Sequence, residues 1–242
     1  MKRIILVLLI IGIFLVGCDN KKADVKEDNY EKEEIVETNI TDEINQKIDR
    51  FIKALQLKYV NISNKELSEN EKLYYAFYIA SNELHANYVL KDDINKTMIE
   101  LFGENVEYKD RDIQSLFTNE TIAYFKDDKY VYNHDTAHGV MMVKGYSYEV
   151  SRERKNDIIK VEIKRVYINC GDTCPVDAVY KDPEYKEKYD VPEKYCIYDK
   201  YMPDFCDIKA DDFLKENLDA IPKLTFEFKL EGDNPVFSKL YK

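Results

Sequence analysis

The sequence predicts an α+β fold in which N-terminal helices pack on a curved antiparallel sheet. Three observations predict it. Apolar residues recur at helical spacing between residues 44 and 103. After residue 118 they alternate at the two-residue period of strands. Short turn-forming clusters join those strands, as hairpins require. Helices first and antiparallel strands afterwards place the helices together on one face of the sheet.

The elements follow in order. Ile44, Ile48, Phe51, Ile52 and Leu55 share one helical face behind a cap at Thr41. Ser68 followed three residues later by Glu71 is a capping box, and it opens a helix reaching about Leu84. A third helix starts near Asp92 or Asp93, buries Ile94, Met98, Ile99 and Phe102, and stops at Gly103. Thr121 to Asn133 reads as a hairpin turning at Asp127-Asp128. Tyr146, Tyr148 and Val150 alternate with polar residues, and Lys155-Asn156-Asp157 closes a hairpin to the next strand. There Ile159, Val161 and Ile163 share a face, while Val166 and Ile168 fall on the opposite phase. That shift predicts a β-bulge at Lys164-Arg165. Leu224, Phe226, Phe228 and Leu230 form a further strand, and Glu231 to Asn234 turns the chain into a last strand around Val236-Phe237. Such a bent meander wrapped on helices looks like the cystatin-like or nuclear-transport-factor-like architecture, a likeness that carries no function.

Residues 170–206 stand apart as an insertion. All six Pro residues lie beyond residue 174, and no Gly occurs between Gly171 and Gly232. The segment holds Cys170, Cys174, Cys196 and Cys206, six Tyr residues, and one expected short helix around Pro183–Lys188. In an exported chain, four such cysteines are read as two disulfides, with three connectivities open. A zinc site built from all four thiolates is the alternative, although the spacing is wider than structural zinc sites use. The tyrosines are either a recognition face or ordinary semi-buried packing under a loop.

The amino terminus carries the most specific signal. Lys2 and Arg3 precede an apolar run of thirteen residues, Ile4–Val16, which ends in Leu15-Val16-Gly17-Cys18. Spanning a bilayer takes about 20 apolar residues, so the run has the length of a signal-peptide core. Residues 1–18 resemble the signal of bacterial membrane lipoproteins. The resemblance implies that residues 1–17 are removed. It also implies that the Cys18 thiol receives a diacylglyceryl group and, in many bacteria, that the new amino terminus is acylated, for instance by palmitate. Two or more acyl chains suffice for stable anchoring in the lipid bilayer.

Residues 18–43 are expected to form a flexible tether, with ten acidic and four Lys residues across 19–43. Residues 44–242 are expected to form a single globular domain. Loss of Lys2 and Arg3 takes the formal charge from −11 to −13, which repels phosphate backbones and argues against nucleic acid as a partner. Abundant Lys over Arg and the absence of Trp suggest an AT-rich, Gram-positive source, with the protein on the outer face of the cell membrane.

Candidate chemistry is sparse. His134, Asp135 and His138 form the only His cluster. Its place between two β segments predicts a solvated turn, with a metal-dependent envelope hydrolase as the alternative reading. Sortase-like chemistry would need an Arg after the active Cys, and none follows Arg165. L,D-transpeptidase chemistry would need Gly before the Cys. No P-loop, dinucleotide fingerprint or nucleophile elbow is present. The expected protein is therefore a non-enzymatic surface lipoprotein without a cofactor, which binds a protein, peptide or envelope component. An accessory subunit of a membrane complex is a third reading.

Overall fold

The structure is a computed structural model that describes residues 40–54, 61–84, 87–116, 118, 120–134, 144–168 and 176–242. It is a mixed α+β fold, with four α-helices and antiparallel sheets among the described residues. None of the described helices is long and apolar enough to cross a membrane.

Helix α1 (Asp42–Ala54) begins where Thr41 Oγ1 accepts the Ile44 N–H at 3.3 Å. Its buried stripe is Ile44, Ile48, Phe51 and Ile52; Leu55 lies outside the described residues. Helix α2 (Glu69–Leu84) opens on the expected capping box. Glu71 Oε2 accepts the Ser68 N–H at 2.8 Å, and Ser68 Oγ accepts the Glu71 N–H at 3.3 Å. Removing the cap with Ser68→Ala should cost about 1 kcal/mol, read as a lower urea midpoint at unchanged slope. Helix α3 (Lys91–Phe102) ends at Gly103, whose φ of +92° lies in the region glycine favours. A Cβ there would also sit 3.0 Å from Glu231 Oε2.

The main sheet runs β1 (Ile62–Ser63), β12 (Asn234–Tyr241), β11 (Lys223–Glu231), β7 (Ile158–Ile168), β6 (Lys144–Lys155), with β8 (Val179–Tyr180) paired to the far end of β7. A second sheet runs β2 (Tyr88–Leu90), β5 (Lys129–Tyr132), β4 (Thr121–Lys126), β3 (Ile113–Gln114). The β4–β5 turn holds Asp127 and Asp128 at φ +52° and +55°, the left-handed pair a tight hairpin needs. One hydrophobic cluster joins both sheets to α1, α2 and α3. It draws Ile159, Val161 and Ile163 from β7 and Leu224, Phe226, Phe228 and Leu230 from β11.

The bulge expected at Lys164-Arg165 is not there. Strand β7 pairs with β11 in unbroken register from Ile158 to Lys164. Its apolar phase changes because its two ends bury opposite faces. Ile159, Val161 and Ile163 face the helical core. Val166 and Ile168 enter a second cluster with Ala210, Phe213 and Leu214 of α4 (Ala210–Glu216). The irregularity sits on the neighbour, where Glu149 pairs with Ile163 and Ser151 with Glu162, leaving Val150 extra in β6. Arg152 then ties β6 to α1. Its guanidinium donates to Asn45 Oδ1 at 2.7 Å, to Glu149 Oε2 at 2.6 Å and to Asp49. Gly145 allows β6 to lie close to β7, since a Cβ would fall 2.5 Å from the Val166 carbonyl oxygen.

Candidate interaction surface

The insertion is a second small core carrying an arm. The short helix expected around Pro183–Lys188 is instead a turn built on Asp182. Its carboxylate accepts the N–H groups of Glu184 at 2.9 Å, Lys186 at 3.2 Å and Glu187 at 2.8 Å. The side chain outcompetes a short helix for these N–H groups. The turn places Tyr185 at φ +58°, its ring 5.0 Å from that of Tyr180. Burial works against the charge on Asp182, but the donors outweigh it and hold its carboxyl below the ordinary value of 3.8. A depressed folded-state pKa stabilises the turn above that value and is lost as pH falls through the folded one. The amides of Lys186 and Glu187 should therefore become exchange-labile below about pH 4, before the core amides of β7 and β11 do.

Tyrosines from the insertion separate into two groups. Tyr180 and Tyr195 are buried, and Tyr185 and Tyr189 are partly buried against the satellite clusters. Tyr195 meets Phe213 edge-on at 5.3 Å and donates to Glu216 Oε2 at 2.9 Å. Tyr198 and Tyr201 face solvent at 49% and 79% exposure, beside Ile197 at 47%. These three lie on a ribbon of β9 (Cys196–Asp199) and β10 (Met202–Ile208) and the turn between them. Core packing therefore explains the first group of tyrosines and does not explain the second.

Cys196 and Cys206 form a disulfide that clasps this ribbon ten residues apart in sequence. With two of the four sulfurs oxidised, the four-thiolate zinc alternative falls. The ribbon's root is fixed to the body. Lys209 N–H donates to the Tyr195 carbonyl at 2.9 Å, and Ile208 N–H to the Val176 carbonyl at 2.8 Å. The exposed residues are thus held at the end of a braced, cross-linked arm.

Two other features have some of the character of a site. His134 is exposed after β5, with its ring 5.4 Å from that of Tyr132. Asp135 and His138 lie outside the described residues, as do Cys18, Cys170, Cys174 and His85. Among the described residues no group of three or more His, Cys, Asp or Glu side chains could hold a metal ion. A cleft of about 310 Å³ lies between α1 and β6, lined by Asp49, Ile52, Lys53, Ser147 and the buried Arg165. Arg165 donates to Ser147 Oγ at 2.6 Å and to the Ile52 carbonyl near the end of α1 at 3.3 Å. Those bonds tie the strand to the helix end, which is a structural task. Elements β8 to β10 and α4 carried no distinct sequence signal. The C-x9-C spacing of Cys196 and Cys206 around turn-rich residues was the available hint of a clasped hairpin.

No family model matches the chain, and no curated protein or solved structure matches it.

Proposed function

We propose that the chain is a membrane lipoprotein, anchored at Cys18 on the extracytoplasmic face, that binds a protein or peptide of the envelope through its disulfide-clasped arm. The observation that carries this reading is the exposure of Ile197, Tyr198 and Tyr201 on a ribbon whose root is buried and whose strands are cross-linked. Tyr is a favoured anchor at interfaces because it buries large area at low entropic cost. A cystine persists in oxidising surroundings, which suits a protein exported by the signal ending at Cys18. In this reading the acidic residues between Cys18 and α1 serve as the spacer. The main sheet, with α1 to α3 on one face and extra residues at Val150 and Ser238, is the bent wrap of a cystatin-like or nuclear-transport-factor-like scaffold. Its role is to carry the arm.

The anchor and the arm are tested separately. Mass spectrometry of natively expressed protein should find Cys18 as the first residue, carrying lipid. Intact residues 1–17 would refute the anchor. For the arm, Tyr198→Ser with Tyr201→Ser should remove partner capture from solubilised envelope while leaving the thermal transition in place. Unchanged capture of the same partners would refute the arm.

A further inference from the structure

Building on the proposal that the arm is the interaction element, we infer that the outer edge of β9 accepts an extended, basic segment of a partner protein as a third strand. Among the described residues β9 pairs with β10 alone. Its other edge is taken at the root, where Cys196 N–H donates to the Glu193 carbonyl. Beyond Cys196 no main-chain hydrogen bond among the described residues engages it, and such an edge is a template for strand addition.

The two edges of the ribbon differ in how they are guarded. Strand β10 contains Pro203, which has no N–H to offer, and its register shifts between Met202 and Cys206. Its base is occupied as well, since Ile208 N–H donates to the Val176 carbonyl and Asp207 Oδ1 accepts the Val176 N–H at 2.8 Å. Strand β9 is Cys-Ile-Tyr-Asp, with no Pro, Gly, Lys or bulge. The long edge of the main sheet shows what protection looks like in this molecule. There β6 has the extra residue Val150 and the charged run Arg152-Glu153-Arg154-Lys155, devices that discourage pairing. The β9 edge has neither a bulge nor a charged run, and its single charge is Asp199 at the far end.

The chemistry of the occupant follows from the side chains. Ile197 and Tyr198 are neighbours in a strand, so they point to opposite faces, yet both are about half exposed. An added strand would find an apolar cross-strand neighbour on each face. Charge selects the rest. Residues 196–208 hold Asp199, Asp204 and Asp207 against Lys200, on a chain of formal charge −11. An acidic segment would be repelled, and a basic one with alternating apolar residues is complementary. The Cys196–Cys206 clasp fixes the ribbon before the partner arrives, which lowers the ordering cost of association.

The test uses the full-length protein and three synthetic peptides. One alternates lysine and valine, one alternates glutamate and valine, and the third is the lysine–valine peptide interrupted by proline. Affinity is read by titration and backbone engagement by amide hydrogen exchange. The lysine–valine peptide should slow exchange at alternate residues of β9, and the other two should bind at least about tenfold more weakly. Tyr198→Ser with Tyr201→Ser should weaken the lysine–valine peptide as well. Binding that needs the tyrosines but tolerates proline, or leaves β9 amides unprotected, would overturn strand addition and keep the arm as the interaction element. Binding indifferent to the tyrosines, with protection elsewhere, would overturn both. Failure of the lysine–valine peptide to bind would overturn strand addition.

Discussion

Phe51→Ala should destabilise the protein by about 3–5 kcal/mol, enough on its own to threaten the fold of a marginally stable domain. Phe51 is 2% exposed, and its ring is where four elements converge. It stacks on Phe237 of β12 at 5.4 Å, meets Phe228 of β11 edge-on at 5.4 Å, and reaches Phe102 of α3 at 6.2 Å. Truncation removes one side of all three ring contacts and leaves a cavity that flanking strands cannot close, because each is fixed by its ladder. The sheet and helices should lose stability together, seen as a lower urea midpoint by both far-ultraviolet circular dichroism and tyrosine fluorescence. By contrast, Tyr88→Ala on the outer face of the second sheet, where Tyr88 is 47% exposed, should stay within about 0.5 kcal/mol of the parent. Equal losses at the two positions would mean that the helical core is not assembled around Phe51.

Replacing Cys196 and Cys206 together by Ser should release the arm and spare the body. Closing a loop of this length is worth about 3 kcal/mol in the chain-entropy account, and that contribution acts on the ribbon it encloses. A two-stranded ribbon is marginal on its own in water. The root is held independently through Tyr195, Phe213, Glu216 and the Val176–Ile208 bonds, so the second core should persist. Hydrogen exchange should show β9 and β10 losing protection while β7 and β11 keep theirs. The same variant should bind the partner less well even with Tyr198 and Tyr201 present, because an unclasped arm must be ordered on binding. Cooperative loss of the whole fold would show that the cystine is a global staple and that the arm is not a separable element.

The helical half of the fold was legible because each signal there is local. Thr41, the Ser68/Glu71 box and Gly103 act on their own backbone within one turn, and the structure finds each in that role. The hairpin turns at Asp127-Asp128 and Asn156 were legible for the same reason. The phase change in β7 was visible, but its cause was not. A bulge and a switch of buried face leave the same trace in one strand, and the deciding partner, α4, lies more than forty residues further on. The turn at Asp182 defeated the expected helix because a side chain captured the backbone donors a helix would use. At the candidate site the cysteines and tyrosines were legible as a cluster. Which tyrosines pack and which face solvent was not, because that depends on tertiary contacts of Tyr180 and Tyr195 with β7 and α4. The disulfide connectivity needed the ribbon's register before Cys196 could be assigned to Cys206.

Photo-crosslinking in intact cells tests the central claim most directly. A photoreactive residue replaces Tyr201 at the tip of the arm or, as a comparison, Tyr124 on the outer face of the second sheet, 46% exposed. The arm position should give one dominant adduct that disappears when Cys196 and Cys206 are both Ser, while the comparison position gives background labelling. Equal labelling from both positions, or an adduct from position 201 that survives loss of the clasp, would contradict the assignment of partner binding to this arm.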